Sequence, residues 1–368
     1  MARNRVIYQS EGVFVGQLAA TGGNHASTDI KEAYRVQSAN YSFNLARRDV
    51  NQYGELAAID RVPLDAPTVS LDFTYLLANA YNESGVLGFT TDAAGNAGNA
   101  IGGILTGGVT SCRNYWIKTV GYGFDLHGLN TTGYAFGTIG FGNGYISSYT
   151  VDGAVGDFPR ASVRVDASNI KFDSWLSTDT GSGTQIPAIN TTDGTPVAGT
   201  YLLPSGQSTT SATDKTTVLR PGDITFTWGT YTSNDIGADI EDAKIQSFTL
   251  TTDIGRTPIQ RLGLKYAYSN EINFPVNASL RVTAIVGDLG TGALSAFVDS
   301  TGTYNVGVTI KKPGTALTAF GATLKGVTLD SQEYSSSIGD NKTVTYTFAV
   351  PIGGPNDLNK GLFIYGMN

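Results

Sequence analysis

The sequence is poor in the residues that disulfide scaffolds and metal sites need. It contains one cysteine and two histidines in 368 residues. A single cysteine, Cys112, cannot form an intramolecular disulfide, which excludes a disulfide scaffold and favours synthesis in a reducing cytoplasm. His25 and His127 have no second histidine or cysteine at metal-ligand spacing. We therefore expect no metal or other cofactor, and we interpret both histidines as polar loop residues.

Catalytic motifs are also missing. The sequence has no phosphate-binding Gly-x-x-x-x-Gly-Lys-Ser/Thr loop, no Gly-x-Ser-x-Gly elbow and no His-Glu-x-x-His helix. The glycine-rich run at residues 140–144 precedes a strand-like segment instead of a helix, so no helix N-terminus is available for a phosphate. We interpret this run as a turn. The protein is not expected to be an enzyme, because a β-rich hydrolase would need a catalytic constellation that the sequence does not show.

Charge is scarce as well. Charged residues make up 15% of the chain, and the formal net charge is −7. Tight binding to nucleic-acid phosphates requires clustered Lys and Arg, which this sequence lacks. A surface past which DNA slides is compatible with the slight negative charge. No apolar run is long enough for a signal peptide or a membrane span, so no membrane insertion is expected.

What the chain does contain is typical of β-sheets. It has 46 Gly, 19 Tyr and 16 Phe, with Thr and Ser recurring along apolar segments. Near the C-terminus, Val344, Tyr346 and Phe348 alternate with threonines, which is the period of a half-buried strand. Turn-forming residues at 338–341 precede this segment and predict a hairpin. The fold class is therefore mainly β.

The two halves of the chain are related. Residues 32–77 match residues 241–286 at nine positions without a gap, with Gln37 opposite Gln246 as one example; we call this offset of 209 the first displacement. The closing hairpin recurs at a second displacement of 183, with Gly156-Asp157 matching Gly339-Asp340. Two blocks in the same order indicate a tandem duplication. The difference between the displacements places extra residues in the first half, for which the Gly/Ala-rich stretch near 92–108 is the candidate.

The duplication divides the chain into a first domain at 1–176, containing the Gly/Ala-rich insert, and a second domain at 218–368. Residues 177–217, rich in Ser, Thr, Gly and Pro, are predicted to be a linker or surface excursion. Each domain is expected to contain two long hairpins and a short helical stretch, at 78–87 and 292–298.

The connection after the first strand of each domain, at 47–67 and 253–275, is too long for a tight turn. It mixes charged and apolar residues, as expected for a protruding arm that packs on another subunit. The residues assigned to this contact are Arg47, Arg48, Asp49, Val50, Leu56, Ile59 and Arg61 in the first half and Arg256, Ile259 and Arg261 in the second.

Three segments of the chain are similar to segments of a known protein family. They are the block from Gln37-Ser38 through Gly54 to Pro67, the sequence SLDFTYLLANAYNESGVLGF and, as the strongest part of the match, the ending LDSQEYSSSIGDNKTVTYTFAVPIGG. These segments resemble major tail tube proteins of long-tailed bacteriophages. In that family, hairpin sheets line a hollow tube, six domains close a ring, and the long loop stacks on the next ring. Some members carry two tube domains in one chain, so that three chains form a pseudo-hexameric ring. The resemblance implies two tandem tail-tube-like β-sandwich or β-barrel domains that contribute to a closed tubular sheet.

The resemblance also implies a function. The protein would be a structural virion protein, assembled in the host cytoplasm into stacked rings that conduct DNA during ejection without binding it specifically. Its partners would be other copies of itself and further tail proteins, namely the terminator, the distal tail protein, the tape measure and, where present, a sheath. The channel would be lined by the polar residues of the second strands, which are Thr68, Ser70, Asp72, Thr74, Ser279, Arg281 and Thr283.

An alternative remains open from the sequence. A capsid decoration protein or a carbohydrate-binding phage adhesin built of β-sandwiches has a similar composition. In such a protein, aromatic residues form platforms for sugars, and the candidates here are Tyr115, Trp116, Trp175 and Trp228.

Overall fold

The computed structural model describes most of the chain. The described residues are 11–17, 29–92, 98–102, 104, 112–121, 126, 135–176, 186–204, 218–228, 244–285, 304–337, 341–354 and 356–366. The predicted helical stretch at 292–298, residues 338–340 of the predicted turn and both histidines lie outside these ranges.

The described chain is mainly β, as the sequence predicts. Its strands are β1 (Glu11–Gln17), β2 (Ile30–Glu32), β3 (Val36–Asn44), β4 (Arg47–Val50), β5 (Asp60–Pro63), β6 (Thr68–Leu76), β7 (Thr91–Asp92), β8 (Arg113–Val120), β9 (Ala135–Ala154), β10 (Arg160–Ala167), β11 (Asn169–Leu176), β12 (Ile224–Trp228), β13 (Lys244–Asp253), β14 (Arg256–Ile259), β15 (Ser269–Ile272), β16 (Asn277–Ile285), β17 (Tyr304–Lys311), β18 (Thr318–Ser335), β19 (Thr343–Pro351) and β20 (Gly361–Tyr365). A short π-helix (Asn82–Leu87) occupies the first predicted helical stretch. A 3₁₀ turn (Pro221–Asp223) precedes β12.

One antiparallel sheet, which we call the central sheet, runs through both halves of the chain. Its strand order is β18–β19–β16–β13–β9–β10–β6–β3. The second half supplies the four strands from β18 to β13, and the first half supplies the four from β9 to β3. In the middle, β9 pairs with β13 and Val151 lies opposite Leu250. We call this pairing the internal junction, because it joins the two halves through backbone hydrogen bonds.

The strand pairs and bulges of the first half recur in the second half, offset in residue number by the two displacements found in the sequence. A bulge lies at Gln37 where β3 pairs with β6, and the first displacement maps it onto a bulge at Gln246, where β13 pairs with β16. In both bulges the glutamine Nε2 donates to the carbonyl two residues earlier, at 3.1 Å. Another bulge lies at Ser147 where β9 pairs with β10, and the second displacement maps it onto Asp330, where β18 pairs with β19. β13 is thus the counterpart of β3, and β18 is the counterpart of β9.

The long strands β9 and β18 each belong to two layers. Residues 145–154 of β9 and 328–335 of β18 lie in the central sheet, whereas their N-terminal parts pair with β8 and β11, or with β17 and β20. Where each strand changes layer the backbone φ is positive, 54° at Asn143 and 71° at Gly326. Asparagine side chains of the neighbouring strands, Asn114 and Asn305, accept these two N–H groups at 3.4 and 3.1 Å.

A hydrophobic core with residues from both halves lies between the central sheet and the outer strands. The predicted alternation is confirmed on β19, where Val344, Tyr346, Phe348 and Val350 are buried and the threonines between them are half-buried. Burial of such large side chains removes apolar surface from water and is the main stabilising contribution expected for this fold.

Residues 140–144 lie within β9, so the prediction of a turn there was wrong. A Cβ atom at Gly142 would lie 2.1 Å from the carbonyl oxygen of Pro187, and one at Gly144 would lie 2.7 Å from the ring of Tyr115. Glycine is needed there because neighbouring segments approach the strand closely, not because the chain reverses direction.

The described parts of the insert and of the predicted linker pack on the remainder of the chain. Within 186–204, the Tyr201 hydroxyl lies 2.7 Å from Thr138 Oγ1, and its ring centroid lies 5.1 Å from that of Trp116. In the insert, the Asn99 side-chain amide donates to the carbonyls of Gly353 and Lys360, both at 3.4 Å.

Candidate assembly surfaces

The face of the central sheet opposite the core, which we call the polar face, carries small polar and charged side chains. On β6 and β16 every second residue is buried in the core, and the residues between them point away from it. All the channel-lining candidates lie on this face. Thr68 and Arg281 are exposed, and the half-buried members are Ser70, Asp72, Thr74, Ser279 and Thr283.

Hydroxyl groups on the polar face bond to each other across strands. Ser42 Oγ lies 2.8 Å from Ser70 Oγ, and Thr283 Oγ1 lies 3.2 Å from Thr345 Oγ1. Each such pair uses part of the hydrogen-bonding capacity of both hydroxyl groups within the sheet. The face is therefore hydrophilic without presenting a dense array of free cations.

Three arginines of the polar face each lie next to a carboxylate. Arg160 Nε is 2.8 Å from Asp152, the corresponding distance from Arg164 Nε to Asp166 is 3.6 Å, and an Arg281 amino nitrogen is 3.9 Å from Glu333. Because these groups are exposed or, for Asp152, only half-buried, each pair contributes at most about 1 kcal/mol to stability. Their main electrostatic effect is to offset the local positive potential.

The two long connections form hairpin arms. β4 pairs with β5, and β14 pairs with β15 in the equivalent register, so that Val50 opposite Asp60 corresponds to Ile259 opposite Ser269. Equivalent glycines, Gly54 and Gly263, have φ of 90° and 89°. The arms expose an unusual number of large apolar side chains, namely Val50, Tyr53, Leu56, Ile59, Val62, Leu64, Ile259, Leu262 and Tyr268.

The charged residues assigned to the first arm are on its surface. Arg47, Arg48 and Asp49 are exposed, and Arg61 Nε lies 3.1 Å from an Asp49 carboxylate oxygen. The apolar side chains of the first arm are therefore interspersed with charged groups that face water.

In the second arm, two of the assigned arginines contact their own chain. The Arg256 guanidinium lies over the Tyr145 ring, 4.6 Å from its centroid, and donates to the Asn270 carbonyl at 3.1 Å. Burial lowers the pKa of Arg256 from its ordinary value. Arg261 donates to the Thr192 carbonyl.

The outer strands of the central sheet, β3 and the 328–335 part of β18, each pair on one side only among the described residues. Tyr41 and Phe43 of β3 and Tyr334 of β18 are exposed, although they occupy the core side of the sheet. No role was predicted for these residues from the sequence. The signal was present, because Tyr41 and Phe43 occupy alternate apolar positions in a strand whose partner strand is fully buried on that side.

A buried carboxyl group, which was not predicted from the sequence, lies beneath the central sheet. Glu83 lies in the first-half core, where its Oε1 accepts hydrogen bonds from the hydroxyls of Tyr75 at 2.6 Å and Tyr149 at 3.0 Å. Its Oε2 has no hydrogen-bond partner among the described residues. Burial raises the pKa of Glu83 to about 7, and the two tyrosine hydrogen bonds oppose that rise. The group is enclosed, so it bears on stability and not on surface recognition.

A scan against protein-family models finds no match to the chain, and a search of the curated proteins finds no significant match either. No helix in the described ranges is both long and apolar enough to cross a membrane. Of the proposed sugar-platform residues, Tyr115 and Trp116 are fully buried and therefore offer no exposed ring.

Proposed function

We propose that the chain is a subunit of a hollow tube, the tail tube of a long-tailed bacteriophage, and that its polar face lines the channel. The observation that carries this proposal is the central sheet. Two equivalent four-stranded units lie side by side in it, with the core on one face and a polar face that no described element covers. Repetition of such a unit around an axis produces a closed cylinder without free strand edges.

The polar face suits a channel through which DNA passes. Phosphate binding becomes tight when free Lys and Arg release counterions from the duplex. Here Arg160, Arg164 and Arg281 each lie near a carboxylate, and the surrounding residues are mainly small hydroxyl side chains. A duplex in contact with this face meets a wet surface of weak net attraction, which permits sliding.

The arms suit contact between successive rings. Each of the two equivalent units carries one arm, and the tips of both are apolar and fully exposed at Tyr53 and Leu262. An apolar tip gains stabilisation only when another surface covers it. Stacking of each ring on the next provides that cover and extends the tube along its axis.

Electron microscopy of the purified protein tests the proposal. The expected result in negative stain is tubes with a regular axial repeat, or isolated rings under conditions that prevent stacking. Native mass measurement of a ring then gives the number of chains. Discrete particles without a central channel, at concentrations up to those reached in an infected cell, contradict the proposal and favour a decoration protein or an adhesin.

A further inference from the structure

We propose that β3 of one copy pairs antiparallel with residues 328–335 of β18 in a second copy, with Asn40 opposite Ser335 and Asn44 opposite Ser331. We call this contact the seam. The inference rests on the proposed function, and it specifies the partner, the strands and the register through which one subunit joins the next.

The internal junction supplies the register. Thr249 of β13 lies opposite Asp152 of β9 within the chain. The first displacement relates β13 to its counterpart β3, and the second relates β9 to its counterpart β18. Subtracting the first displacement from the residue number of Thr249 gives Asn40, and adding the second displacement to that of Asp152 gives Ser335. The same operation on Asp253 and Ser148, which are also opposite each other, gives Asn44 and Ser331.

The exposed aromatic residues at both edges support the same contact. In the internal junction, Leu250 and Val151 are 2% and 1% exposed. Their counterparts at the free edges, Tyr41 and Tyr334, are 40% and 42% exposed. Phe43, which is 62% exposed, corresponds to Thr252, which is fully buried. Pairing of the edges in the seam register covers all three aromatic rings on the core side of a continuous sheet.

β3 also lacks the features that keep an edge strand from pairing. Natural edge strands carry Lys, Pro or inward-pointing charges that block addition of another strand. The β3 sequence VQSANYSFN contains no charged residue and no proline. Among the described strands, only β6 pairs with β3, so a partner strand can add to the outer side of β3, and residues 328–335 of β18 have the matching antiparallel direction.

The backbone hydrogen bonds of the internal junction show which seam positions lie closest. Ile254 N–H donates to the Ser147 carbonyl at 2.7 Å, and Val155 N–H donates to the Gln246 carbonyl at 2.9 Å. Counting along the strands from either bond makes the Thr249/Asp152 pair a non-hydrogen-bonded pair, in which opposed side chains approach most closely. The Asn40/Ser335 and Asn44/Ser331 pairs have the same character, so cysteines at these positions satisfy the geometry of a disulfide.

Recombination of four cysteine substitutions tests the register. Two double variants place the cysteines in register, namely Asn40→Cys with Ser335→Cys and Asn44→Cys with Ser331→Cys. The other two combinations displace the cysteines by four residues, about 13 Å. These are Asn40→Cys with Ser331→Cys and Asn44→Cys with Ser335→Cys. Oxidised glutathione is the oxidant, and each cross-link oxidises two thiols and reduces one oxidised glutathione to two reduced molecules. β3 and β18 of one chain lie at opposite edges of the sheet, about 34 Å apart at about 4.8 Å per strand, so any cross-link joins two chains. The native Cys112 is buried and stays in place in all variants.

The expected result is a ladder of covalent oligomers on non-reducing denaturing gels for the two in-register pairs. Their yield should exceed that of the displaced pairs at least about five-fold, because a disulfide requires Cβ atoms within about 4.5 Å. Equal yields for all four variants, or more from the displaced pairs, overturn the register. Tubes without any cross-link overturn the seam but leave the proposed function intact, whereas a parent protein that forms no ring overturns both.

Discussion

Glu83 should make the stability of the subunit depend on pH in a direction opposite to that of most carboxylates. Its side chain is fully buried, and only one of its two oxygens is hydrogen-bonded within the described residues. Burial raises the pKa from 4.5 to about 7. At 1.36 kcal/mol per pKa unit, this rise corresponds to about 3 kcal/mol of differential stability.

The direction in which the free energy of unfolding changes with pH follows from proton binding to Glu83 in the folded and unfolded chains. Below about pH 4.5 the carboxyl is protonated in both the folded and the unfolded chain, and the free energy of unfolding is at its highest with respect to this group. Between about pH 4.5 and 7 the unfolded chain releases the proton while the folded chain keeps it, so the free energy of unfolding falls as pH rises. Above about pH 7 the carboxylate is charged in both states, and the loss levels off.

Glu83→Gln tests this reasoning, because the amide is neutral at every pH and its oxygen still accepts the tyrosine hydroxyls. Urea unfolding at dilutions that keep the subunit unassembled, followed by tryptophan fluorescence from pH 5 to 8, gives the free energy of unfolding. The parent should lose about 2.5 kcal/mol of its free energy of unfolding between these limits, because part of the full decline has already occurred at pH 5, and the variant should not show this loss. Glu333→Gln, at an exposed position on the polar face, is the matched control and should keep the decline. A decline of unchanged size in Glu83→Gln refutes the assignment of the pH dependence to this group.

Three further changes separate the roles of the assembly surfaces. Val50→Asp should stop ring stacking and leave soluble, folded subunits, because the side chain is exposed on an arm; tubes of normal length in electron microscopy would count against the arm assignment. Asp152→Asn removes the carboxylate beside Arg160, so assembled tubes should bind DNA more tightly. The slope of the logarithm of the binding constant against the logarithm of the salt concentration should become steeper by about 1. An unchanged slope contradicts a channel lined by the polar face. Gly153→Ala places a Cβ 2.6 Å from the Phe248 ring across the internal junction and should destabilise the chain by about 1–3 kcal/mol in urea unfolding. Gly222→Ala, which meets no atom within 4 Å, is its control and should unfold like the parent.

The strands and their faces were predictable because they depend on local periodicity. The alternation of Val344, Tyr346 and Phe348 with threonines identified β19 and its buried side. The recurrence of Gln37 as Gln246 indicated equivalent strands, but the bulges at both glutamines were not predicted, because nothing in the neighbouring residues indicates them. Local and duplicated patterns were therefore sufficient for strands such as β19, but not for the N-terminal part of β9, where a turn was predicted.

The order of the strands was not predictable, because it depends on contacts between residues that are distant in the chain. Nothing near Leu250 indicates that Val151 lies opposite it, since both are ordinary apolar strand residues. Glycine was ambiguous in the same way. A glycine such as Gly142 serves equally for a turn and for close approach of a neighbouring segment, and only the position of Pro187 distinguishes the two.

The candidate surfaces were predicted unevenly for a related reason. The polar face and the arms follow from periodicity and from loop length, both of which are visible in one chain. The edges are recognisable only once the neighbours of every strand are known. The exposure of Tyr41 and Phe43 in β3 is then seen to be unusual, because β9 covers the corresponding residues of β13 and no described strand covers Tyr41 and Phe43 in the same way.

The difference in side chains between the internal junction and the proposed seam has a physical reason. Association of separate molecules costs roughly 4–15 kcal/mol in lost translational and rotational freedom. Covalent linkage of two units removes that cost from the internal junction, where Leu250, Val151 and Thr252 are sufficient. The proposed seam would receive no such help and would have to bury more apolar surface, which the larger side chains of Tyr41, Phe43 and Tyr334 would provide. In the proposed ring, fusion of the two units would therefore halve the number of intermolecular junctions and would concentrate the aromatic residues at the proposed seam.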